Sequence, residues 1–318
     1  MSNLRYIGLK KESEYGSAEE GASTRYEDAT CNIQPRLNWN FPPPVAQRAY
    51  QKRVKGLYRA QGPINSFPVT PEGIIGDLLL GVLGDETPTN PETGVYLHTF
   101  QPADTIPSYT ARIGVEQAER VLPGCLVEEL TLRWEAGQPV KANALIYSGW
   151  EETSTTIAES ITIDTLQPIT QIDDLVALTW NEDATYGVYM SSLEVTIKNN
   201  IPFNTGDLLG RSFRTIRVGQ RDVTGRLTAY FDNTDVYDDF MAGTSFSFLI
   251  KTESSLAGAT KRHYIGMQAA DCQYTDDAAA NPQPQNEPLA LNAQFRCLAS
   301  DLGNYEIEAL LQNTITAY

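Results

Sequence analysis

The sequence predicts a mainly β protein: an antiparallel β-sandwich or barrel with one flanking α-helix, an extended N-terminal arm and long loops. Three observations support this fold class. Apolar and polar residues alternate in several segments after Gly94, the pattern of a strand with one buried face. Helical spacing is clearest in one segment that ends at Gly84. The 23 Gly and 18 Pro are scattered, as in short strands joined by turns.

Residues 1–68 form the first predicted unit, an arm with weak apolar periodicity and the rigid run Phe41–Pro44. Such a stretch does not easily make a core of its own, and a disordered tail is the alternative. Its aromatic content favours an arm that orders against a neighbouring subunit. The predicted contact residues are Tyr6, Tyr15, Tyr26, Trp39 and Phe41.

Residues 69–318 form the second predicted unit, a β-sandwich domain that begins with the helix. Thr70 is the predicted N-cap, Pro71 occupies the first helical position, and Gly84 ends the helix. Apolar residues at helical spacing predict one buried helix of about twelve residues. They are Ile74, Ile75, Leu78, Leu79, Val82 and Leu83.

The clearest hairpin joins residues 126–134 to residues 140–148 through the turn at 135–138. One face of both strands is apolar. The predicted polar face carries Glu129, Thr131, Arg133, Lys141 and Asn143.

A further strand near residues 193–198 has the same alternation, with Glu194, Thr196 and Lys198 pointing outward. A short helix is expected at 236–241, after a cap at 232–234. Residues 150–190 are an acidic, threonine-rich insertion, and 276–287 an exposed loop. Other predicted strands are 160–165, 175–180, 223–231, 245–251, 262–269, 289–298 and 305–312.

The chain has a net charge of −16 and a pI of about 4.6, so strong binding to a phosphate backbone is not expected. The four cysteines lack C-x-x-C spacing and are predicted to be thiols of a reducing compartment. No signal peptide is expected. The apolar window at 74–83 is too short to span a bilayer, so no membrane association is predicted.

Catalytic and metal-binding patterns are missing from the sequence. His98 and His263 are far apart, and zinc needs more Cys and His neighbours. The acidic residues at 232–239 lack the calcium-loop pattern and are interpreted as helix capping. Neither a nucleophile elbow nor a phosphate loop appears. We therefore predict no enzymatic activity and no cofactor, although the paired carboxylates of a hydrolase remain an open alternative.

Five segments, in order, resemble the tail tube (major tail) protein family of tailed double-stranded DNA viruses. The opening segment carries Glu14-Tyr15-Gly16, and the helical segment ends in Leu83-Gly84. A central strand ends in Asn199-Asn200, and Val223-Thr224-Gly225 precedes the next strand. The matching segments are 6–16, 71–84, 192–200, 217–228 and 306–313.

The resemblance implies a β-sandwich with a flanking helix and a structural role in the virion tail. Six copies would form a ring, and stacked rings would form the tube through which DNA leaves without specific binding. The implied partners are copies of the chain itself, a tape-measure protein, a tail terminator and distal tail proteins. The implied site of assembly is the host cytoplasm.

The polar strand faces fit this implied role. They are candidate lumen-facing or interface positions, and an acidic lumen would repel DNA phosphates. A carbohydrate- or receptor-binding β-sandwich, such as an adhesin or another virion protein, is the main alternative.

Overall fold

The computed structural model describes most of the chain in several ranges. They are residues 5–19, 25–27, 29–42, 53–115, 118–154, 165–170, 176–180, 190–202, 218–230, 238, 241–275, 290–299 and 305–318.

The described residues form antiparallel strands and one α-helix, so the prediction of a mainly β fold is confirmed. In the first half the elements are β1 Arg5–Lys11, β2 Arg25–Glu27, β3 Gln34–Asn40, β4 Val54–Pro68, α1 Ile75–Leu83, β5 Gly84–Glu92, β6 Val95–Pro102, β7 Tyr109–Val115 and β8 Ala118–Glu135. In the second half they are β9 Lys141–Ser148, β10 Glu152–Ser154, β11 Val176–Trp180, β12 Met190–Lys198, β13 Asp222–Tyr230, β14 Phe246–Leu256, β15 Arg262–Tyr274, β16 Ala290–Cys297 and β17 Glu308–Asn313.

The largest sheet runs in the order β3-β4-β9-β8-β12-β13-β16 and continues through β15. Strand β15 is a branch point: β14 pairs along one edge, while β17 and then β16 pair along the other. The branch β17-β6-β5 extends from there. The main apolar core of the described residues includes Val195 from β12, Met267 from β15 and Leu311 from β17.

A smaller sheet, β2-β1-β7-β8-β10, is attached through β8. The N-terminal half of β8 pairs with β7 and β10, and its C-terminal half pairs with β9 and β12. This one strand therefore belongs to both sheets.

The predicted hairpin is confirmed as β8 and β9. Leu130 lies opposite Ala144 and Leu132 opposite Ala142, and all four side chains are buried. The turn is closed by a hydrogen bond from the Gln138 amide to the Glu135 carbonyl at 3.0 Å.

The predicted helix exists and is fully buried, but its predicted start is wrong. It begins at Ile75, follows Ile74 without a side-chain cap, and is nine residues long. The reason is tertiary, because the Pro71 carbonyl accepts a hydrogen bond from Asn313 Nδ2 at 2.8 Å instead of opening the helix. The predicted end is confirmed: Gly84 has a φ of 103° and its amide bonds to the Leu80 carbonyl.

Most of the remaining predicted strands overlap observed strands, with ends that differ by a few residues, although the last begins at Glu308, later than predicted. The predicted strand at 160–165 and the loop at 276–287 fall outside the described residues. The short helix at 236–241 falls mostly outside them too, with helical backbone at 238, 241 and 242.

The range 1–68 contributes to the body of the fold. Strand β1 pairs with β7, and its Ile7 and Leu9 are fully buried in the core. Strand β4 pairs with β9 and buries Ile64 and Phe67. Contact of this range with a neighbouring subunit stays a prediction.

Candidate assembly surfaces

The eight predicted polar positions lie together on the outer side of β9, β8 and β12. In one row Lys198 lies opposite Glu129. In the next, Thr196 lies opposite Thr131, which lies opposite Asn143. The third row consists of Glu194, Arg133 and Lys141.

Short polar contacts link these rows. The hydroxyls of Thr131 and Thr196 share a hydrogen bond of 2.9 Å. Lys198 Nζ lies 4.0 Å from Glu129 Oε2. Exposed pairs of this kind stabilise by at most about 1 kcal/mol, so the rows are suited to remaining in water.

The polar surface continues across β13 and β16. We call the outer side of β9, β8, β12, β13 and β16 the polar face. Asp222 lies opposite Lys198. Arg296 approaches the Asp222 carboxylate with two nitrogens, Nε at 3.0 Å and Nη2 at 3.1 Å. Thr228 donates a hydrogen bond of 2.9 Å to Asn292 Oδ1. Both strands were predicted from the sequence, but their outward residues are not among the eight predicted polar positions.

The polar face is close to neutral, so the predicted acidic lumen, which stays a prediction, does not follow from the charges at these positions. Its charges alternate between neighbouring strands instead of sharing one sign. The basic residues are Arg133, Lys141, Lys198, Arg226 and Arg296, and the acidic ones are Glu129, Glu135, Glu194 and Asp222. The excess negative charge of the chain therefore lies elsewhere.

The β3–β4 hairpin has a different surface. Within the described ranges β3 pairs with β4 alone, which makes it an edge strand. Leu37, Phe41 and Val54 are about half exposed, at 49%, 54% and 53%. The guanidinium of Arg53 lies 5.2 Å from the centre of the Trp39 ring, a cation–π contact.

The charge of this hairpin is opposite to that of the whole chain. Residues 29–71 contain six Lys or Arg and no Asp or Glu. The rest of the chain holds the other 18 basic residues and all 40 acidic ones. The hairpin is therefore a basic, partly apolar edge on an acidic protein.

The five predicted arm residues are divided between the core and this hairpin. Tyr6 is 1% exposed and its hydroxyl donates to the Glu119 carboxylate of the same chain. Tyr15 packs against a small buried cluster. Tyr26 lies in β2, and its side chain is outside the described part. Trp39 and Phe41 are on the β3–β4 hairpin, where a neighbour can reach them.

Residues in the family-like segments stabilise the helix. Asn199 Nδ2 donates to the carbonyls of Val82 and Val127, at 3.1 Å each. Arg221 donates to the Leu83 carbonyl at 3.3 Å, which places a cation at the negative end of the helix dipole. Burial lowers the pKa of Arg221, and Glu306 opposes that effect. These residues therefore contribute to the fold around the helix.

The described residues show little that resembles a reaction centre. Among them, no group of three or more His, Cys, Asp or Glu is placed to hold a metal. The imidazole of His98 is buried between Glu86 Oε1, at 2.7 Å, and the Ile315 carbonyl, at 2.9 Å, a structural role. In these ranges no helix has the length and apolar character needed to cross a membrane.

Comparison with known proteins identifies the family. A family model described as phage tail tube protein matches residues 2–296. No curated protein matches the chain at a significant level. The match begins ahead of β1 and ends within β16, so it includes the helix, the basic hairpin and nearly all of the polar face. The chain belongs to the phage tail tube protein family.

Proposed function

We propose that six copies of this chain form a ring and that stacked rings form a conduit for DNA ejection. Family membership supports a structural role in the virion tail, in which the chain assembles with itself into a tube. The observation that supports the proposed DNA conduit is the polar face, a continuous surface of five neighbouring strands.

The polar face is suited to line a channel that DNA slides through. Affinity for DNA comes from unpaired Lys and Arg that displace counterions. Here Arg296 is held by Asp222, and Lys198 lies beside Glu129. A channel wall with paired charges leaves few cations available to bind phosphates. DNA would therefore pass without specific binding because the charges are paired, and an acidic wall is not required.

The β3–β4 hairpin is suited to contact an adjacent subunit. Edge strands are normally shielded, and this one exposes apolar side chains beside basic ones. The rest of each subunit is strongly acidic, so a second copy offers a surface of complementary charge. We assign the contact role predicted for residues 1–68 chiefly to this hairpin, with Trp39 and Phe41 as its aromatic members.

The remaining partners belong to the same proposal. At its ends such a tube meets a tape-measure protein, a tail terminator and distal tail proteins, and the subunit assembles in the host cytoplasm without enzymatic activity. These assignments rest on family membership alone.

Electron microscopy of the purified full-length protein tests the proposal. We expect sixfold rings or tubes in class averages, with the polar face towards the lumen once the density is fitted. Rings of another symmetry would contradict the hexamer, and a lumen lined by another surface would contradict the assignment of the polar face. Monomers that persist at high concentration and bind a glycan array would favour the carbohydrate-binding alternative.

A further inference from the structure

Two cysteines face each other across a strand pair. Cys272 of β15 lies directly opposite Cys297 of β16, and their sulfur atoms are 3.3 Å apart as free thiols. The spacing along the sequence gave no sign of this pairing, because the two residues belong to strands separated by a long connection.

The local hydrogen-bond pattern makes the position favourable for a covalent link. The Leu298 amide donates to the Asp271 carbonyl at 2.8 Å, and the Thr275 amide donates to the Gln294 carbonyl at 2.9 Å. Ladder bonds alternate along an antiparallel pair, so the cysteines occupy a non-hydrogen-bonded position. Cα atoms there are about 4.5 Å apart, within the range of about 4.4–6.8 Å that disulfides span.

We propose that Cys272 and Cys297 form a modification site, at which peroxide converts the two thiols into a cross-strand disulfide. The inference does not depend on tube assembly, because both residues lie in one chain. It revises the prediction that the cysteines are simply thiols: two of the four are positioned for a reversible bond.

In this proposal Cys297 is the cysteine that reacts first with peroxide. Cys297 borders a surface cavity of about 370 Å³, together with Arg221 and Arg296, and is itself 3% exposed. Cys272 is fully buried and does not line this cavity. The hydrogen bond that Cys272 donates to Cys297, together with burial, raises the pKa of the Cys272 thiol.

The chemistry balances with hydrogen peroxide as oxidant. The Cys297 thiolate attacks one peroxide oxygen and breaks the O–O bond, which gives a sulfenic acid and a hydroxide that takes up a proton to form water. The sulfur of Cys272 then attacks the sulfenic sulfur. The S–O bond breaks, a second water leaves with the thiol proton, and the two thiols have supplied the two electrons that reduce the peroxide.

The bond would lie at the branch point of the fold. Strand β15 connects β16, the last strand of the polar face, with β14 and β17. A disulfide there fixes the junction of these sheets and closes the loop between the cysteines.

The test uses the full-length protein, treated with hydrogen peroxide and then unfolded for maleimide counting of thiols. We expect reactive thiols to fall from four to two, recovery with dithiothreitol, and one linked peptide pair containing Cys272 and Cys297. The oxidised protein should melt about 5 °C higher. Cys31→Ser and Cys125→Ser serve as matched controls and should still form the bridge, whereas Cys272→Ser and Cys297→Ser should not.

Several results would overturn the inference. They are four thiols that survive oxidation, a bridge that includes Cys31 or Cys125, and a sulfinic acid on Cys297 of the unmodified sequence without a linked peptide. If a serine variant does not fold, peptide mapping of the wild-type chain decides alone.

Discussion

The polar face and the β3–β4 hairpin lie in the same large sheet, yet they meet their surroundings in opposite ways. The polar face pairs its charges across strands, as with Arg296 and Asp222, and its strands turn most of their apolar residues to the core side. The hairpin leaves Leu37 and Val54 half exposed and carries no acidic residue. The first surface is suited to water and passing ligands, whereas the second is suited to being covered by another subunit.

The largest expected effect comes from removing the apolar residues of the hairpin. Replacing Leu37, Phe41 and Val54 together by Thr should raise the critical concentration for assembly about 100-fold, because roughly 3 kcal/mol of apolar burial is lost. Sedimentation of tubes measures it. Thr substitutions at Met241 and Leu256, exposed by 65% and 56%, are the matched control and should leave assembly unchanged. Equal losses in both variants would remove the distinction between the hairpin and other exposed apolar sites.

Charge reversal on the hairpin should have the next largest effect. Arg36→Glu combined with Lys55→Glu should weaken assembly about tenfold at low salt, and less at 1 M salt, where screening is strong. Lys141→Glu on the polar face is the control, and assembly should tolerate it. A loss that does not depend on salt would mean that these cations do not act through charge complementarity.

A smaller effect is expected when cations are added to the polar face. Thr196→Lys, Thr224→Lys and Asn292→Lys together should slow DNA ejection several-fold, since each new phosphate contact adds counterion release. The same positions changed to Gln control for side-chain size. Ejection at the wild-type rate in the Lys variant would show that the polar face does not line the DNA path.

The smallest effect is expected from the polar rows themselves. Thr131→Val removes the hydroxyl contact with Thr196 and should change the free energy of unfolding by no more than about 1 kcal/mol. Leu132→Ala, one residue away and fully buried, should cost about 2–5 kcal/mol. Denaturant unfolding of both variants measures the contrast, and similar losses would mean that the polar face also stabilises the fold.

The structure also changes how the arm is best tested. Deleting residues 1–45 would remove the buried strand β1 and half of the β3–β4 hairpin, so a failure to polymerise would not separate folding from assembly. Point substitutions on the hairpin keep the core intact.

Features with local causes could be predicted from the sequence, and features with distant causes could not. The β8–β9 hairpin was predictable because alternation and a short turn containing Gly137 determine it. β1 was missed because Tyr6, Ile7 and Leu9 are all buried, which removes the alternation, and because its partner β7 lies far along the chain. The start of the helix was misplaced because Asn313 binds the Pro71 carbonyl from the other end of the sequence.

The polar face was also predictable only where its causes are local. Strand parity correctly grouped Thr131 with Arg133 and Thr196 with Lys198, because side chains two residues apart share a face. It did not indicate that β12 lies beside β8, which places the two groups in one surface. Thr224 and Arg226 of β13 follow the same alternation and lie opposite Thr196 and Glu194 on this surface.

The membership of β8 in two sheets has a mechanical consequence. A pull along this strand loads hydrogen-bond ladders on both of its edges, towards β7 and β10 at one end and towards β9 and β12 at the other. Ladders loaded in shear resist together, whereas a strand peeled from an edge gives way one bond at a time. The smaller sheet and the polar face are thus joined through one continuous strand, so a force on either sheet acts on the same backbone.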